Sequence, residues 1–258
     1  MPPVAVLLDS RAALSALRRT LPADAGPVLA CRTPAGLRLV LGTRLLDAVV
    51  LGPIAAVQKV DLEELDRGFP ALPLVVYGVF RSDDSRLLLQ LATVHRASAV
   101  LIEGVDDPVA GDLVARHTMS ARRRTQLADA PLLLRLTEPL QLKTWDLLLG
   151  SPGRPPSTVA LAARLRVSRE YLSRQFAAGG APNLKRVIDF LQVVTALELL
   201  ANPGYSPVVV SRLLGYGTPG HLPVKVHRIT GLALPEARAL PARELLGRFI
   251  RGAARSRR

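Results

Sequence analysis

Short, unbroken apolar runs recur through the first half of the chain: VAVLL at 4–8, VLAC at 28–31, LLDAVVL at 45–51, LPLVVYG at 72–78 and SAVLIEG at 98–104. Continuous rather than alternating hydrophobicity is the pattern of strands covered on both faces of a parallel sheet. A helical pattern runs from Arg11 to about Leu21, and the longer intervals, notably 83–96 and 107–124, have room for helices. Strand and helix in alternation predict a small doubly wound parallel sheet, a flavodoxin-like α/β domain over residues 1–125.

Beyond ARRRT at 121–125 the spacing turns helical. Its three arginines read as a solvated helix end. Residues 126–136 read as a linker, and 137–252 as an all-α domain. TEPLQLKTWDLLLG (137–150) predicts a capped helix with Leu140, Trp145, Leu147 and Leu148 available for a core, and SPGRPPS (151–157) a breaker-rich loop. LAARLRVSREYLSRQF (161–176) then reads as helix, short break, helix. Ser157 or Thr158 caps the first helix, whose apolar face is Val159, Leu161, Ala162 and Leu165. Arg166-Val167 forms the turn, and Ser168 caps the second helix. In that helix Leu172 and Phe176 face inward at i, i+4. The opposite side carries Glu170, Arg174 and Ala177, flanked by Tyr171 and Ser173. Hydrogen-bonding side chains on the outer face of a short second helix suit a reader of the major groove. An ordinary helical hairpin is amphipathic in the same way. A long apolar helix follows at 183–201, then NPGYS, then a second candidate pair, SPVVVSRLLGYGTPGHLPVKVHRITG (206–231).

Charge divides the chain at the same place. The net charge is +13. Residues 1–130 hold 15 Lys+Arg against 14 Asp+Glu, and residues 131–258 hold 19 against 7. A neutral half joined to a strongly basic one fits a regulatory module beside a polyanion binder. The tail RGAARSRR (251–258, of which 253–258 lies beyond the helical domain) reads as a basic, disordered end that would add non-specific phosphate affinity. The single cysteine, Cys31, rules out an internal disulfide and a cysteine metal cluster and reads as a small buried hydrophobe. His95, His117, His221 and His227 show no i, i+4 pairing, so neither a metal nor another cofactor is expected. The amino terminus has no basic leader, and no apolar run is long enough to span a membrane, so a cytoplasmic protein is expected.

In a doubly wound sheet, function sits at the carboxyl ends of the strands. Here those ends are Asp9-Ser10, Gly52-Pro53, Gly78 and Glu103-Gly104, with no glycine-rich phosphate loop after the first strand. The layout resembles the receiver domain of bacterial response regulators. That resemblance implies an acidic pair, an acceptor aspartate, a hydroxyl residue and a lysine. The corresponding positions are Asp9 with Ser10, Gly52, Gly78 and Glu103-Gly104. Asp47 lies too early in its strand to serve as acceptor. Without a carboxylate nucleophile and an acidic Mg²⁺ cradle, aspartyl phosphate chemistry is absent. Asp9 itself reads first as a cap for the helix at Arg11 and second as a catalytic acid.

The second half, over roughly residues 137–240, resembles the DNA-binding domain of AraC-type transcription regulators, which carries two helix-turn-helix units. The matching stretches are LAARLRVSREYLSRQF, ALELL at the end of the linking helix, and LLGYG followed by HRITG and Pro235. The family's Leu-x-Arg-x-Phe core appears as Leu172-Ser173-Arg174-Gln175-Phe176. The resemblance, with the outward face already described, gives Ser168, Arg169, Glu170, Tyr171, Ser173 and Arg174 the DNA-contacting roles. The second unit departs from the family. Gln192 replaces an arginine, Leu222 and Val226 replace phenylalanines, Pro235 lies one residue farther from Gly231, and Pro223-Val224 stand where a polar residue and an arginine are usual. Pro223 is tolerable only in a first turn, which starts that helix near Pro219 or Gly220. Val224 cannot donate to a base. The second unit either holds the DNA backbone through Lys225, His227 and Arg228 without reading sequence, or does not bind DNA.

Two classes of function stay open. One is a sequence-specific regulator of transcription that binds double-stranded DNA, with a phosphorylation-independent amino-terminal domain for dimerisation or partner contact. A second copy of the chain, RNA polymerase or another regulator are its further partners. The other is a protein-interaction scaffold whose helical half no longer reads DNA. No acid–base pair, nucleophile set or metal cluster supports an enzyme.

Overall fold

A computed structural model describes residues 2–23, 25–56, 60–79, 95–151, 155–218 and 220–255. They form two compact units. The first is Met1–Arg122 with Asn202–Tyr205, and the second is Arg123–Ala201 with Ser206–Arg258.

The first unit is built on five parallel strands: β1 (Val4–Leu7), β2 (Val28–Ala30), β3 (Ala48–Leu51), β4 (Leu74–Gly78) and β5 (Ala99–Ile102). Their order, β2-β1-β3-β4-β5, is the doubly wound flavodoxin-like order. Alternate strand residues supply two cores. Ala5, Leu7, Val49, Leu51, Leu74 and Val76 pack on one face against α2 (Pro34–Thr43) and α3 (Leu62–Gly68). Val4, Val6, Ala48, Val50, Val75 and Tyr77 pack on the other against α1 (Arg11–Thr20) and α4 (Ala110–Arg116). All five expected strands are present. β3 begins at Ala48, and Asp47 precedes it with its N–H donated to Pro3 O at 3.0 Å. Its buried carboxylate accepts hydrogen bonds from Ser120 N at 2.8 Å and Ser120 Oγ at 2.9 Å.

The stretch 107–124 is two helices, α4 and α5 (Met119–Gln126), rather than one. Thr118 breaks it, its hydroxyl donating back to Ala115 O and accepting from Ala121 N. The helix expected at 83–96 lies largely outside the described residues. His95 and Arg96 are described and are not helical. Cys31 is half-buried, and desolvation raises its thiol pKa. Asn202, buried in the first unit, accepts from Ala71 N and Leu72 N. Tyr205 lies edge-on to Phe69, ring centroids 5.0 Å apart.

The second unit contains α6 (Ala130–Leu133), α7 (Pro139–Leu149), α8 (Thr158–Leu165), α9 (Arg169–Phe176), α10 (Leu184–Leu200), α11 (Pro207–Leu214), α12 (His221–Thr230), α13 (Leu234–Arg238) and α14 (Ala242–Arg255). Three expectations are corrected here: the linker, the solvated arginines and the disordered tail. The expected linker at 126–136 contains α6, and Leu127, Ala130, Leu134 and Leu136 are buried. Arg123 is not at a solvated helix end. It is buried, and its Nε donates to Glu198 Oε2 at 2.9 Å. The basic tail is helical as far as Arg255. Among the described residues no helix is long and apolar enough to cross a membrane.

Candidate nucleic-acid interface

Two short helix pairs in the second unit share one local construction. In each, a serine caps an eight-residue helix that ends at a left-handed residue. Ser157 Oγ accepts from Ala160 N, α8 follows, and Arg166 closes it at φ 56°. Ser206 Oγ accepts from Val209 N, α11 follows, and Gly215 closes it at φ 70°. The left-handed conformation suits glycine, which has no Cβ to clash. An arginine there is a strained choice.

The first pair turns tightly. Arg166, Val167 and Ser168 separate α8 from α9, and Ser168 Oγ accepts from Tyr171 N at 3.1 Å. Leu172 and Phe176 are fully buried, as the i, i+4 spacing required. Leu161 and Ala162 are buried in α8 as expected, but Val159 is 60% exposed. Two residues before Leu161, it points roughly 160° away from that buried side chain. Buried Gln141 fixes the far end of α9. Its amide nitrogen donates to Phe176 O at 3.0 Å and Ala178 O at 3.2 Å, while its oxygen accepts from Thr137 N and Glu138 N. One side chain thereby ties the end of α9 to the start of α7. Sequence reasoning missed Gln141. Its signal was a glutamine on the apolar side of a helix beside Trp145, which is buried as expected.

The outer side of this pair is polar and basic. Arg169, Glu170, Tyr171 and Arg174 are exposed, Ser173 is partly buried beside them, and Ser168 is exposed with its oxygen engaged as a cap. Glu170 lies in the first turn of α9, where a carboxylate complements the helix dipole. Arg164, Arg166, Arg169 and Arg174 are exposed and make no ion pair among the described residues. Four guanidinium groups against one carboxylate across residues 157–177 give this face a positive field.

The second pair is built differently at the same place. α12 begins at His221 after Gly220, so Pro223 falls in the first turn, as its missing N–H requires. Leu222 and Val226 are buried. The exposed side offers His221, Pro223, Val224, His227 and Arg228, with Val224 68% exposed. Lys225 is turned inward. Its ammonium lies 2.7 Å from Asp189, donates to Gln192 of α10, and sits over the Tyr216 ring, 5.3 Å from the centroid. Arg228 also reaches Asp189, at 2.9 Å, as does Lys185 at 2.9 Å. Burial pushes the Asp189 carboxyl up, but Lys225 and Lys185 more than offset it and hold it below the usual carboxylate range. Burial depresses the Lys225 amine, countered only in part by Asp189. The Tyr216 hydroxyl is raised well above an ordinary tyrosine, by burial first and by Asp189 second.

At the carboxyl ends of the sheet strands the receiver-like positions are sterically closed. Asp9 does not cap α1. Ser10 does so, accepting from Ala12 N and Ala13 N. The Asp9 carboxylate instead crosses to the turn after β3, accepting from Ile54 N at 3.0 Å and Ala55 N at 3.3 Å. A Cβ on Gly52 would lie 2.2 Å from Asp9 Oδ2, and one on Gly78 would lie 2.4 Å from Pro53 Cδ. Ser10 Oγ donates to Glu103 Oε1 at 2.5 Å. Among the described residues no three His, Cys, Asp or Glu side chains gather to hold a metal ion.

No protein-family model and no curated protein matches this chain. A solved structure of full-length FixJ from B. japonicum is similar over 83% of this chain and 97% of its own, at 13% identity and a TM-score of 0.38.

Proposed function

We propose that the protein is a sequence-specific, double-stranded-DNA-binding transcription regulator of AraC type, in which the α8–α9 pair is a helix-turn-helix and α9 its reading helix. The observation that carries this is the form of α9. It is anchored by Leu172, Phe176 and Gln141 and presents Arg169, Glu170, Ser173 and Arg174 on a face whose arginines make no ion pair among the described residues. A reader needs a rigid element whose outer side chains remain free to meet base edges and phosphates. Exposed arginines such as Arg164 and Arg166 suit phosphate contact, and Arg174 suits a guanine edge.

The first unit then serves as a phosphorylation-independent module for self-association or partner contact. Support comes from the steric closure at Gly52 and Gly78 and from its near-neutral sequence. The α11–α12 pair is a weak reader, since Pro223 and Val224 offer no side-chain donor. Neither a catalytic role nor a cofactor enters this reading, and RNA polymerase or another regulator is a further partner it allows. Titration of random and selected duplex DNA at several salt concentrations tests it. A folded protein that binds every duplex equally, or none, overturns it.

A further inference from the structure

Asp189 is the only acid in the second unit, among the described residues, that is buried. Its side chain is 6% exposed, and three cations converge on it. Lys225 is 16% exposed, while Arg228 and Lys185 are 62% and 72% exposed. Two of the three belong to α12, the helix that stands in the second pair where α9 stands in the first. These are the lysine and arginine charges that α12 could offer to a phosphate backbone. By contrast, Arg164, Arg166, Arg169 and Arg174 of the first pair face no carboxylate partner among the described residues.

We infer that Asp189 is a specificity-determining residue that withholds Lys225 and Arg228 of the second helix pair from DNA phosphates. This rests on the DNA-binding reading above. A carboxylate 2.7–2.9 Å from each cation occupies the distance a phosphate oxygen would take. Drawing Arg228 or Lys225 away would leave a buried anion short of partners, which is unfavourable. Affinity for DNA of arbitrary sequence follows the number of phosphates neutralised. Specificity is the ratio of selected to arbitrary binding. Holding these charges inside the protein therefore lowers the arbitrary term and leaves discrimination to α9. Gln192 accepts from the same Lys225 and strengthens the inward orientation.

The test compares the full-length protein with Asp189→Asn on a random-sequence duplex, from about 50 to 200 mM salt, with folding followed by thermal unfolding. The variant should bind the random duplex several-fold more tightly at low salt. Its log–log salt slope should steepen by up to about 1.8, two phosphates' worth. Arg228→Ala added to Asp189→Asn should remove about half of that steepening. A folded Asp189→Asn protein with wild-type slope and affinity overturns the inference. Should Asp189→Asn fail to fold, Asp189→Asn with Lys225→Gln removes the buried cation together with its counter-charge and still frees Arg228. A steepening by about 0.9, one phosphate's worth, is expected, and a wild-type slope refutes it. If the wild-type protein binds no duplex, the DNA reading fails by itself. Elution from immobilised heparin then tests the charge withholding separately. Later elution of Asp189→Asn supports it, and identical elution overturns it.

Discussion

Replacing Arg166 by glycine separates stability from binding at one residue. Arg166 ends α8 with φ 56° and ψ 42°, and its N–H caps Ala162 O and Ala163 O. An L-residue in this conformation is disfavoured by about 1–2 kcal/mol, and glycine is not. Glycine costs roughly 0.5–1 kcal/mol more backbone entropy on folding. The difference leaves Arg166→Gly more stable by about 0.5 kcal/mol, or about 2 °C in the melting temperature of a unit this size. The equivalent joint of the second pair already has glycine, Gly215 at φ 70°. If the exposed guanidinium of Arg166 meets a phosphate, the same substitution should flatten the log–log salt slope of duplex binding by about 0.9. The assay is thermal unfolding beside fluorescence anisotropy on labelled duplex. A variant that melts lower than wild type refutes the strain reasoning. A variant that melts higher with unchanged salt dependence refutes the phosphate role.

Gln141→Leu keeps the size of the side chain but orphans backbone groups at both ends of its bridge. It should destabilise the second unit by about 1–3 kcal/mol, read by chemical denaturation, and an unchanged midpoint would contradict the bridging role. Incubating the protein with a small phosphodonor and Mg²⁺ should leave its intact mass and DNA affinity unchanged, because Asp9 fills the space an acceptor at position 52 would need. A stoichiometric phosphate with tighter binding would show an acceptor elsewhere. The Asp189 carboxyl is held below its unfolded value, so its contribution is present above the unfolded pKa of about 4 and lost as pH falls from there through the folded value. Melting temperatures measured from pH 6 downward should fall less steeply for Asp189→Asn than for wild type, and parallel curves would contradict this.

The sequence exposed whatever depends on neighbours along the chain. Continuous apolar runs marked all five strands, and i, i+4 spacing marked Leu172 and Phe176 as the buried side of α9. Ser168 announced itself as a cap, and Pro223 placed the start of α12. What stayed hidden depends on partners far apart in sequence. Asp9 looked like a cap because Arg11 is near, yet its acceptors are satisfied 45 residues away at Ile54. Arg123 looked solvated within a run of three arginines, but Glu198 lies 75 residues on. Lys225 counted as an available cation until Asp189, on another helix, claimed it. Gln141 was passed over because a polar residue on an apolar face is ambiguous until the backbone groups it serves are in view. Periodicity states which side of an element is covered. It does not state which charge meets which, and that decides which cations remain for a ligand.

The central claim is that α9 reads base sequence. Selection from a random duplex pool, run in parallel with full-length wild type and Arg174→Ala at one salt concentration, tests it most directly. Arg174 is exposed and makes no ion pair among the described residues, so its removal should leave the fold intact. Wild type should enrich one constrained element. Arg174→Ala should relax that element at one base position, with a loss on the selected site of about 1–3 kcal/mol. Enrichment of the same element at the same strength by both proteins, or of none by wild type, would contradict it.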